Sequence, residues 1–224
     1  MIRNVTSNDN YEILTDKGNT LAVTKSYTSQ TIENDKRVLV NYEILSDKDK
    51  NKKIYEVKVN GYYNLLSKPL VNESFILQEE EVRRDSIGND PFVNVSAWFG
   101  GNYINIDFNI LYEQNVNKKH MINLIYDDIQ AAADTIYLTL RHNAYGEVPA
   151  KGVYLYKGWG RCSFKISDLL PEGVTSKPVK LMWTQYGYNY EAKECSDNGV
   201  FKTGNTTTEQ YTVRDGLDEF VEVI

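Results

Sequence analysis

Most of the chain alternates between hydrophobic and polar residues with a period of two, which is typical of half-buried β-strands. The clearest case, YINIDFNILY at residues 103–112, places four apolar residues on the face that we expect to be buried: Ile104, Ile106, Phe108 and Ile110. The polar residues between them are expected to face outward: Asn105, Asp107 and Asn109. The same alternation recurs in both halves of the chain and predicts an all-β protein.

The first half is predicted to form a small domain over residues 1–78. Its short strands include RVLVNYEIL (37–45) and IYEVKVNGYYNLL (54–66), and a charged turn separates them. Four or five such strands fit an OB-type small barrel, because closing a sheet on itself removes its exposed edges. In the first of these segments we expect four residues to share one face: Val38, Val40, Tyr42 and Ile44.

A charged segment, EEEVRRDSIGNDP (79–91), then interrupts the alternation, and its Gly and Pro mark a turn or linker. We therefore place the domain boundary between residues 78 and 79. Longer alternating strands follow, with Gly and Pro turns between them, and they predict a C-terminal antiparallel β-sandwich over residues 79–224. Helical turns are expected only in DIQAAAD (128–134) and SDLLPEG (167–173), and the C-terminal LDEFVEVI is expected to form a closing strand.

Composition and charge narrow the classes of function. The formal net charge of −6 argues against binding to nucleic acid or to an anionic membrane surface. The sequence has no P-loop and no dinucleotide-binding glycine motif, so we expect no nucleotide cofactor. The unusual feature is 17 Tyr against 7 Phe, since tyrosine suits both half-buried strands and ligand-contacting surfaces.

The cysteines and histidines leave the redox state open and give little support for a metal site. Cys162 and Cys195 could form a disulfide in an exported protein, which the chain-entropy model credits with about 3–4 kcal/mol for such a loop. In a reducing compartment they would remain free thiols. The two histidines, His120 and His142, lack the close spacing of a zinc motif, so we expect no metal.

The segment LRHNAYGEVP (140–149) begins as a strand and then turns polar. In one interpretation, His142 is a general base that Glu147 or Asp134 orients. In the other, His142 satisfies backbone groups at the strand end and Asn143 supplies a turn conformation. The second needs fewer assumptions, because the sequence specifies neither a nucleophile nor a pocket, and we predict no catalytic residue. Three residues remain as candidate binding residues: His142, Asn143 and Tyr145.

Aromatic residues concentrate in two further segments of the second domain, YLYKGWG (154–160) and WTQYGYNY (183–190). Strand tyrosines usually serve packing. If these rings gather on one face instead, they form a recognition surface for a sugar or a peptide. Four of them are candidate binding residues: Tyr154, Tyr156, Trp159 and Tyr188.

Several motifs occur in a fixed order between residues 85 and 170: DSIGNDP, AWFGGNYINIDF, KHMINLI, LRHNAYGE and GWGRCSFKISDL. Together with RVLVNYEIL and YEVKVNGYYNLLSK in the first half, this ordered set resembles the NigD-like proteins of Bacteroides-type bacteria, over most of the chain. The resemblance implies an N-terminal OB-type barrel, a C-terminal β-sandwich, and export as a lipoprotein held in the cell envelope by an acylated cysteine. It carries over no catalytic residues.

The family takes its name from a bacteriocin gene cluster, for which an immunity role was suggested. We therefore expect a non-enzymatic cell-envelope protein that binds a partner protein or a glycan, with bacteriocin immunity as the most specific version. Two alternatives stay open: a hydrolase of envelope polysaccharide or peptide, favoured if a pocket joins His142 to a carboxylate, and a structural scaffold. We expect a monomer without cofactor or nucleic-acid partner, attached to the membrane only through a lipid anchor outside this sequence.

Overall fold

The computed structural model of this chain describes residues 1–28, 31–113, 119–130, 134–147, 149 and 154–203. The described residues are mostly β-strand, as predicted, and their strands form three sheets. The expected C-terminal strand at 217–224 lies outside the described residues. Among the helices that are described, none combines the length and apolar character needed to cross a membrane.

The first unit contains the strands β1 (Ile2–Ser7), β2 (Asn10–Leu14), β3 (Thr20–Ser26), β4 (Val38–Asp49) and β5 (Ile54–Asn64). They form one sheet in the order β1-β2-β3-β5-β4. Neighbouring strands are antiparallel except β3 and β5, which run parallel. The sheet covers a small apolar core made of Ile2, Tyr11, Ile13, Leu21, Val23, Ile32, Val57, Val59 and Tyr62.

This OB-type sheet is not a closed barrel. Two backbone hydrogen bonds join β1 to the segment before β4: the Ile2 N–H donates to the Lys36 carbonyl at 3.0 Å, and the Asp35 N–H donates to the Ile2 carbonyl at 2.9 Å. Within the described ranges, however, no ladder pairs β1 with β4. The expectation of a closed barrel is therefore corrected to a partly open one, a form that OB-type folds commonly take.

Strand β4 departs from the predicted alternation. Val38 and Val40 pack against the core of the first unit, whereas Tyr42 and Ile44 are exposed. Both residues pair with core residues of β5, Tyr42 with Val59 and Ile44 with Val57. They are exposed because β4 is the edge strand of its sheet, which leaves its outer side without a neighbouring strand.

The second unit is a β-sandwich, as predicted. One sheet contains β6 (Val71–Asn72), β9 (Met121–Tyr126), β10 (Ile136–Asn143), β12 (Ser176–Tyr186) and β13 (Ala192–Lys202), and the other contains β7 (Asn94–Gly100), β8 (Tyr103–Tyr112) and β11 (Tyr156–Lys165). The larger sheet has the order β13-β12-β10-β9-β6 and the smaller has the order β11-β8-β7. The larger sheet is mixed rather than purely antiparallel, because β10 pairs in parallel with β12 and β6 pairs in parallel with β9.

The main core lies between the two sheets of the sandwich and confirms the alternation predicted for β8. The four apolar residues of this strand are all buried there: Ile104, Ile106, Phe108 and Ile110. They pack with buried residues of the larger sheet, among them Leu138 and Leu140. The outward face of β8 is not all in contact with solvent, because Asn105 is only 2% exposed.

Two short helices, α1 (Glu73–Leu77) and α2 (Glu80–Ile87), cover part of the outer face of the larger sheet. Their apolar contact is small and consists of Ile76 and Ile87 packed against Ile125 of β9. The alternation gave no sign of α2, which occupies the charged segment at the predicted boundary. That boundary, between residues 78 and 79, stays a prediction. The expected helical turns are confirmed as 3-10 turns at Asp128–Gln130 and Ser167–Leu169.

A buried guanidinium joins the two units. Arg37 of the first unit donates to both carboxylate oxygens of Asp16, at 2.5 and 2.9 Å. It also donates to Ser163 Oγ at 3.2 Å and to Asn105 Oδ1 at 2.9 Å, both in the second unit, and lies 4.2 Å from the centre of the Tyr103 ring. Burial raises the pKa of Asp16, but the hydrogen bonds and charge of Arg37 outweigh it and lower that pKa below its usual value. The network explains why Asn105 is shielded from solvent.

Candidate functional site

The segment 140–149 is a strand end that hydrogen bonds fasten to its surroundings. The Asn143 amide Nδ2 donates to the Ser86 carbonyl at 2.9 Å, at the end of α2. Its Oδ1 accepts from the Tyr145 N–H at 2.8 Å, which closes an Asx-type turn. Tyr145 and Gly146 follow with φ of 52° and 90°, the left-handed region that such a turn uses. Asn143 therefore has a structural role here.

His142 points into the sandwich and belongs to a buried chain of polar side chains. Its Nε2 lies 2.9 Å from Nδ1 of His120, and Nε2 of His120 lies 3.3 Å from Oε2 of Glu147. The same Glu147 oxygen accepts from the Glu113 N–H at 2.6 Å. The antiparallel ladder between β9 and β10 brings the two histidines together, because it places His142 opposite Ile122, two residues after His120. We call this set the histidine relay.

One arrangement of protons satisfies both contacts of the relay with neutral rings. His120 donates its Nε2–H to the Glu147 carboxyl group, and its Nδ1 accepts from the Nε2–H of His142. Burial, followed by the neighbouring His120, lowers the pKa of His142 to about 3, so this ring is neutral near pH 7. All three side chains are buried. The relay joins His142 to a carboxylate in the interior of the sandwich, which favours the structural interpretation.

The neutral His142 predicts a loss of stability in mild acid. Its pKa is about 3 in the folded chain, against 6.5 for an unperturbed histidine, so below pH 6.5 the unfolded chain binds a proton that the folded chain does not. The stability contributed by the neutral ring is fully present above pH 6.5 and is lost as the pH falls toward 3, by about 1.4 kcal/mol per pH unit. Between pH 6.5 and 5 we expect urea denaturation to show a decrease of about 2 kcal/mol in the free energy of unfolding.

A His142→Gln variant is the control for this effect. Glutamine keeps a hydrogen-bond donor near His120 but does not titrate. Because groups outside the histidine relay titrate similarly in both proteins, the difference between their pH dependences reports the relay. The variant is expected to lose about 2 kcal/mol less than the parent chain between pH 6.5 and 5, and equal losses would contradict the assignment.

Six of the seven candidate residues lie at one end of the sandwich, where β8, β10 and β12 end and β9, β11 and β13 begin. We call this region the loop end and define it by residues 112–113, 142–147, 154–156 and 186–192. The two sheets meet there through the Glu113–Glu147 hydrogen bond. The linker before β7 also bridges them: Phe92 pairs with the backbone of Thr184 and Tyr186. The candidates at this end are His142, Asn143, Tyr145, Tyr154, Tyr156 and Tyr188.

Tyrosines dominate the loop end: Tyr112, Tyr145, Tyr154, Tyr156, Tyr186, Tyr188 and Tyr190. On the smaller sheet, the Tyr156 ring lies 5.9 Å from the ring of Tyr112 and 5.0 Å from that of Tyr154. At the β12–β13 hairpin, Tyr186 lies 5.8 Å from Tyr190. Each group combines half-buried with exposed rings, and the most exposed are Tyr154 at 76% and Tyr188 at 97%. Sequence reasoning identified most of these residues through their clustering.

Trp159 lies apart from the loop end, on the outer face of the smaller sheet. Its ring is 5.2 Å from the guanidinium of Arg161, which is also 5.1 Å from the ring of Trp98. Both carboxylate oxygens of Asp107 accept from this guanidinium. Arg161 and Trp98 were not among the candidate residues predicted from the sequence. The available signal was the alternation itself, because Trp159 and Arg161 are two residues apart and must share a face.

Cys162 and Cys195 are free thiols, so the structure does not form the disulfide that the sequence left open. Cys162 lies in the sandwich core, where its Sγ is 3.8 Å from the Ile106 carbonyl oxygen. Cys195 lies opposite Trp183 on the other sheet. Burial raises the pKa of the Cys162 thiol far above its usual value. Across the described ranges, no group of three or more His, Cys, Asp or Glu side chains is arranged to hold a metal ion.

Comparison with protein families gives two matches in chain order. The model of the NigD-like N-terminal OB domain matches residues 2–64, and that of the NigD-like C-terminal beta sandwich domain matches residues 74–196. No curated protein matches the chain.

Solved structures share the fold. A Bacteroides vulgatus protein of unknown function is 20% identical, with 97% of this chain and 94% of that chain covered and a TM-score of 0.65. A NigD-like immunity protein from Bacteroides caccae is 22% identical, with 84% and 86% covered and a TM-score of 0.63. A candidate lipoprotein from Bacteroides fragilis is 13% identical, with 91% and 97% covered and a TM-score of 0.61.

Proposed function

This chain belongs to the NigD-like family, and we propose that it is a non-catalytic recognition protein of the cell envelope that binds a partner protein through its loop end. The observation that carries the proposal is the pair of tyrosine groups at that end, on the smaller sheet and at the β12–β13 hairpin. The sandwich holds both groups on strand ends that hydrogen bonds fix in place.

Tyrosine is well suited to such a surface for physical reasons. Its ring provides a large, rigid contact area with only two side-chain torsions to order, and its hydroxyl can donate or accept a hydrogen bond. Exposed rings such as Tyr154 and Tyr188 can become buried when a partner binds. Partly buried neighbours such as Tyr156 limit the ordering cost, because they already restrict the exposed rings.

The histidine relay supports a non-catalytic role. A hydrolase of envelope polysaccharide or peptide would need a base in contact with its substrate. His142 and His120 are 1% and 0% exposed, and the carboxyl group that His120 contacts, Glu147, is buried with them. The relay therefore has a structural role: it stabilises the position of the loop that carries Tyr145.

We base our proposals for the class of partner and for the cellular location of this protein on the related structures. The Bacteroides caccae protein is named an immunity protein, which favours a protein partner, such as a bacteriocin, over a glycan. The candidate lipoprotein from Bacteroides fragilis favours attachment to the cell envelope.

The test is a binding experiment with a matched pair of tyrosine variants. The Tyr154→Ser/Tyr188→Ser double variant removes two exposed rings from the loop end. The Tyr27→Ser/Tyr63→Ser double variant removes rings that are 61% and 62% exposed on the first unit. We expect the loop-end variant to lose at least about tenfold in affinity for a protein fraction of envelope extract from Bacteroides-type cells, measured by surface plasmon resonance, and the control to bind like the parent chain.

Two outcomes would contradict the proposal. Equal weakening by both double variants would show that the loop end has no special role. Binding that survives proteinase treatment of the extract but disappears after polysaccharide is removed would make the partner a glycan. A thermal-shift measurement on the same fractions gives an independent readout, because a ligand of the native state raises the melting temperature.

A further inference from the structure

A cleft of about 400 Å³ lies on the outer face of the larger sheet, between the strands and the helix pair. Residues of α1, α2, β9, β10 and β12 and of the 3-10 turn after β9 line it, among them Glu73, Arg84, Thr139 and Arg141. Its volume is in the usual range for small-molecule sites. The cleft shares no lining residue with the loop end.

The walls of the cleft are held in place by two contacts. Asp128 accepts from the Ser74 backbone N–H at 2.8 Å and also from the Ser74 hydroxyl, which joins α1 to the 3-10 turn. Beneath them, Ile76 and Ile87 pack against Ile125 of β9. The helix pair is therefore fixed on the sheet, and the cleft is formed before any ligand arrives.

Arg141 is the unusual residue in this cleft. It lies on the outward face of β10, partly buried, and its guanidinium has no hydrogen bond or ion pair to a side chain or carbonyl in the part of the chain that the structure describes. Burial, followed by the like charge of Arg84, lowers the pKa of Arg141 below its usual value. Arg84, by contrast, is paired with Glu73 and Glu80. The carboxylates of Glu73 and Glu194 act on the pKa of Arg141 in the opposite direction. A half-buried guanidinium that only water solvates can form charge-assisted hydrogen bonds to an anionic ligand.

The charges around Arg141 select for a ligand with one negative charge. Glu73 already neutralises Arg84, and the carboxylate of Asp127 accepts from the Gln130 side chain at 2.6 Å. Because these two carboxylates line the cleft, they repel a ligand with two negative charges more strongly than a ligand with one. The planar guanidinium fork matches a carboxylate with two parallel hydrogen bonds.

The other lining groups indicate what the carboxylate is attached to. The Thr139 hydroxyl lies on the same face of β10, two residues before Arg141, and can bond a ligand hydroxyl. Ile129 and Met182 supply apolar surface, which can cover the face of a sugar ring. We propose that this cleft binds the carboxylate of an acidic monosaccharide unit, such as a uronic acid, with Arg141 as the recognising group.

The experiment is a calorimetric titration of the purified full chain at constant ionic strength with three probes: sodium glucuronate, glucose and sodium sulfate. We expect saturable binding of glucuronate, no binding of glucose and weaker binding of sulfate. Arg141→Gln is expected to weaken glucuronate binding at least about tenfold, because it removes a charge-assisted pair. Thr139→Val is expected to weaken it by a smaller factor.

Lys180→Gln is the matched control, since Lys180 is two residues before Met182 on the same face of β12 but does not line the cleft. It should bind glucuronate like the parent chain. Circular dichroism melting checks that the Arg141→Gln chain is folded, which we expect because the Arg141 guanidinium makes no hydrogen bond to a described residue. Failure of glucuronate to bind, equal loss in the Arg141→Gln and Lys180→Gln chains, or tighter binding of sulfate or glucose would each overturn the proposal. The tyrosine variants leave this cleft intact, so the two proposals are tested separately.

Discussion

We expect the free energy of unfolding of an Arg37→Met variant to be about 3–5 kcal/mol lower than that of the parent chain. This is the usual cost of removing one partner from a buried charged network. Methionine fills much of the space but leaves Asp16, Asn105 and Ser163 without their shared donor. Because the network joins the two units, its loss should also separate their unfolding. Urea denaturation followed by two probes measures both effects.

The probes follow from where the chromophores lie. The chain has three tryptophans, Trp98, Trp159 and Trp183, all in the second unit, so fluorescence reports the sandwich and far-ultraviolet circular dichroism reports both units. In the parent chain the two transitions should coincide, and in the Arg37→Met chain they should diverge. Lys36→Met is the matched control: its neighbouring ion pair with Glu33 is exposed on the surface, and its loss should cost less than about 1 kcal/mol. Similar destabilisation by both variants would rule out a special role for Arg37.

A Gly88→Ala variant is expected to lose about 3–5 kcal/mol of stability. Gly88 ends α2 with a φ of 74°, where an L-residue is strained by about 1–3 kcal/mol. A Cβ atom there would also lie 2.7 Å from the His142 carbonyl oxygen and 2.8 Å from the Asn143 Cα. These are backbone atoms of β10, which cannot move without disturbing the histidine relay and the turn. The shift in the urea midpoint of unfolding measures the loss.

A Gly18→Ala variant separates the backbone strain of a positive φ from the steric overlap that a Cβ atom at Gly88 would have with β10. The φ of Gly18 is 75°, almost the same as that of Gly88, but a Cβ atom there would meet no atom within 4 Å. Gly18→Ala should therefore cost only about 1–2 kcal/mol, from the left-handed backbone alone. If the two variants lost equal stability, the close approach of α2 to β10 would not matter for the fold.

The strands could be predicted from the sequence because their signal is local. In β8 each apolar residue is two positions from the next, and a one-residue shift in register would expose all of them. Ile104 and Phe108 are accordingly buried. Helix α2 was missed for the opposite reason: within it only Ile87 is buried, and ion pairs such as Arg84–Glu80 give no hydrophobic period. Its position depends on packing against the sheet.

The candidate site was only partly predictable, because its key contacts join distant segments. Clustering in the sequence identified the tyrosines, but His120 and His142 meet through a ladder register that residue types alone do not determine. Arg37 contacts residues 68 and 126 positions away. Asn105 faces outward from the sandwich, as expected, but the first unit covers it, which the alternation does not predict. The sequence did not mark Arg141 as a candidate binding residue, because an arginine in an alternating strand is ordinarily exposed to solvent.

The positions of the Arg37 network and of the tyrosines make the smaller sheet a rigid spacer. Arg37 contacts Tyr103 and Asn105 at the beginning of β8, and Tyr112 lies at its other end. The ten residues of this strand span about 30 Å. A partner bound at the loop end, as proposed, would therefore contact the smaller sheet about 30 Å along β8 from the Arg37 network.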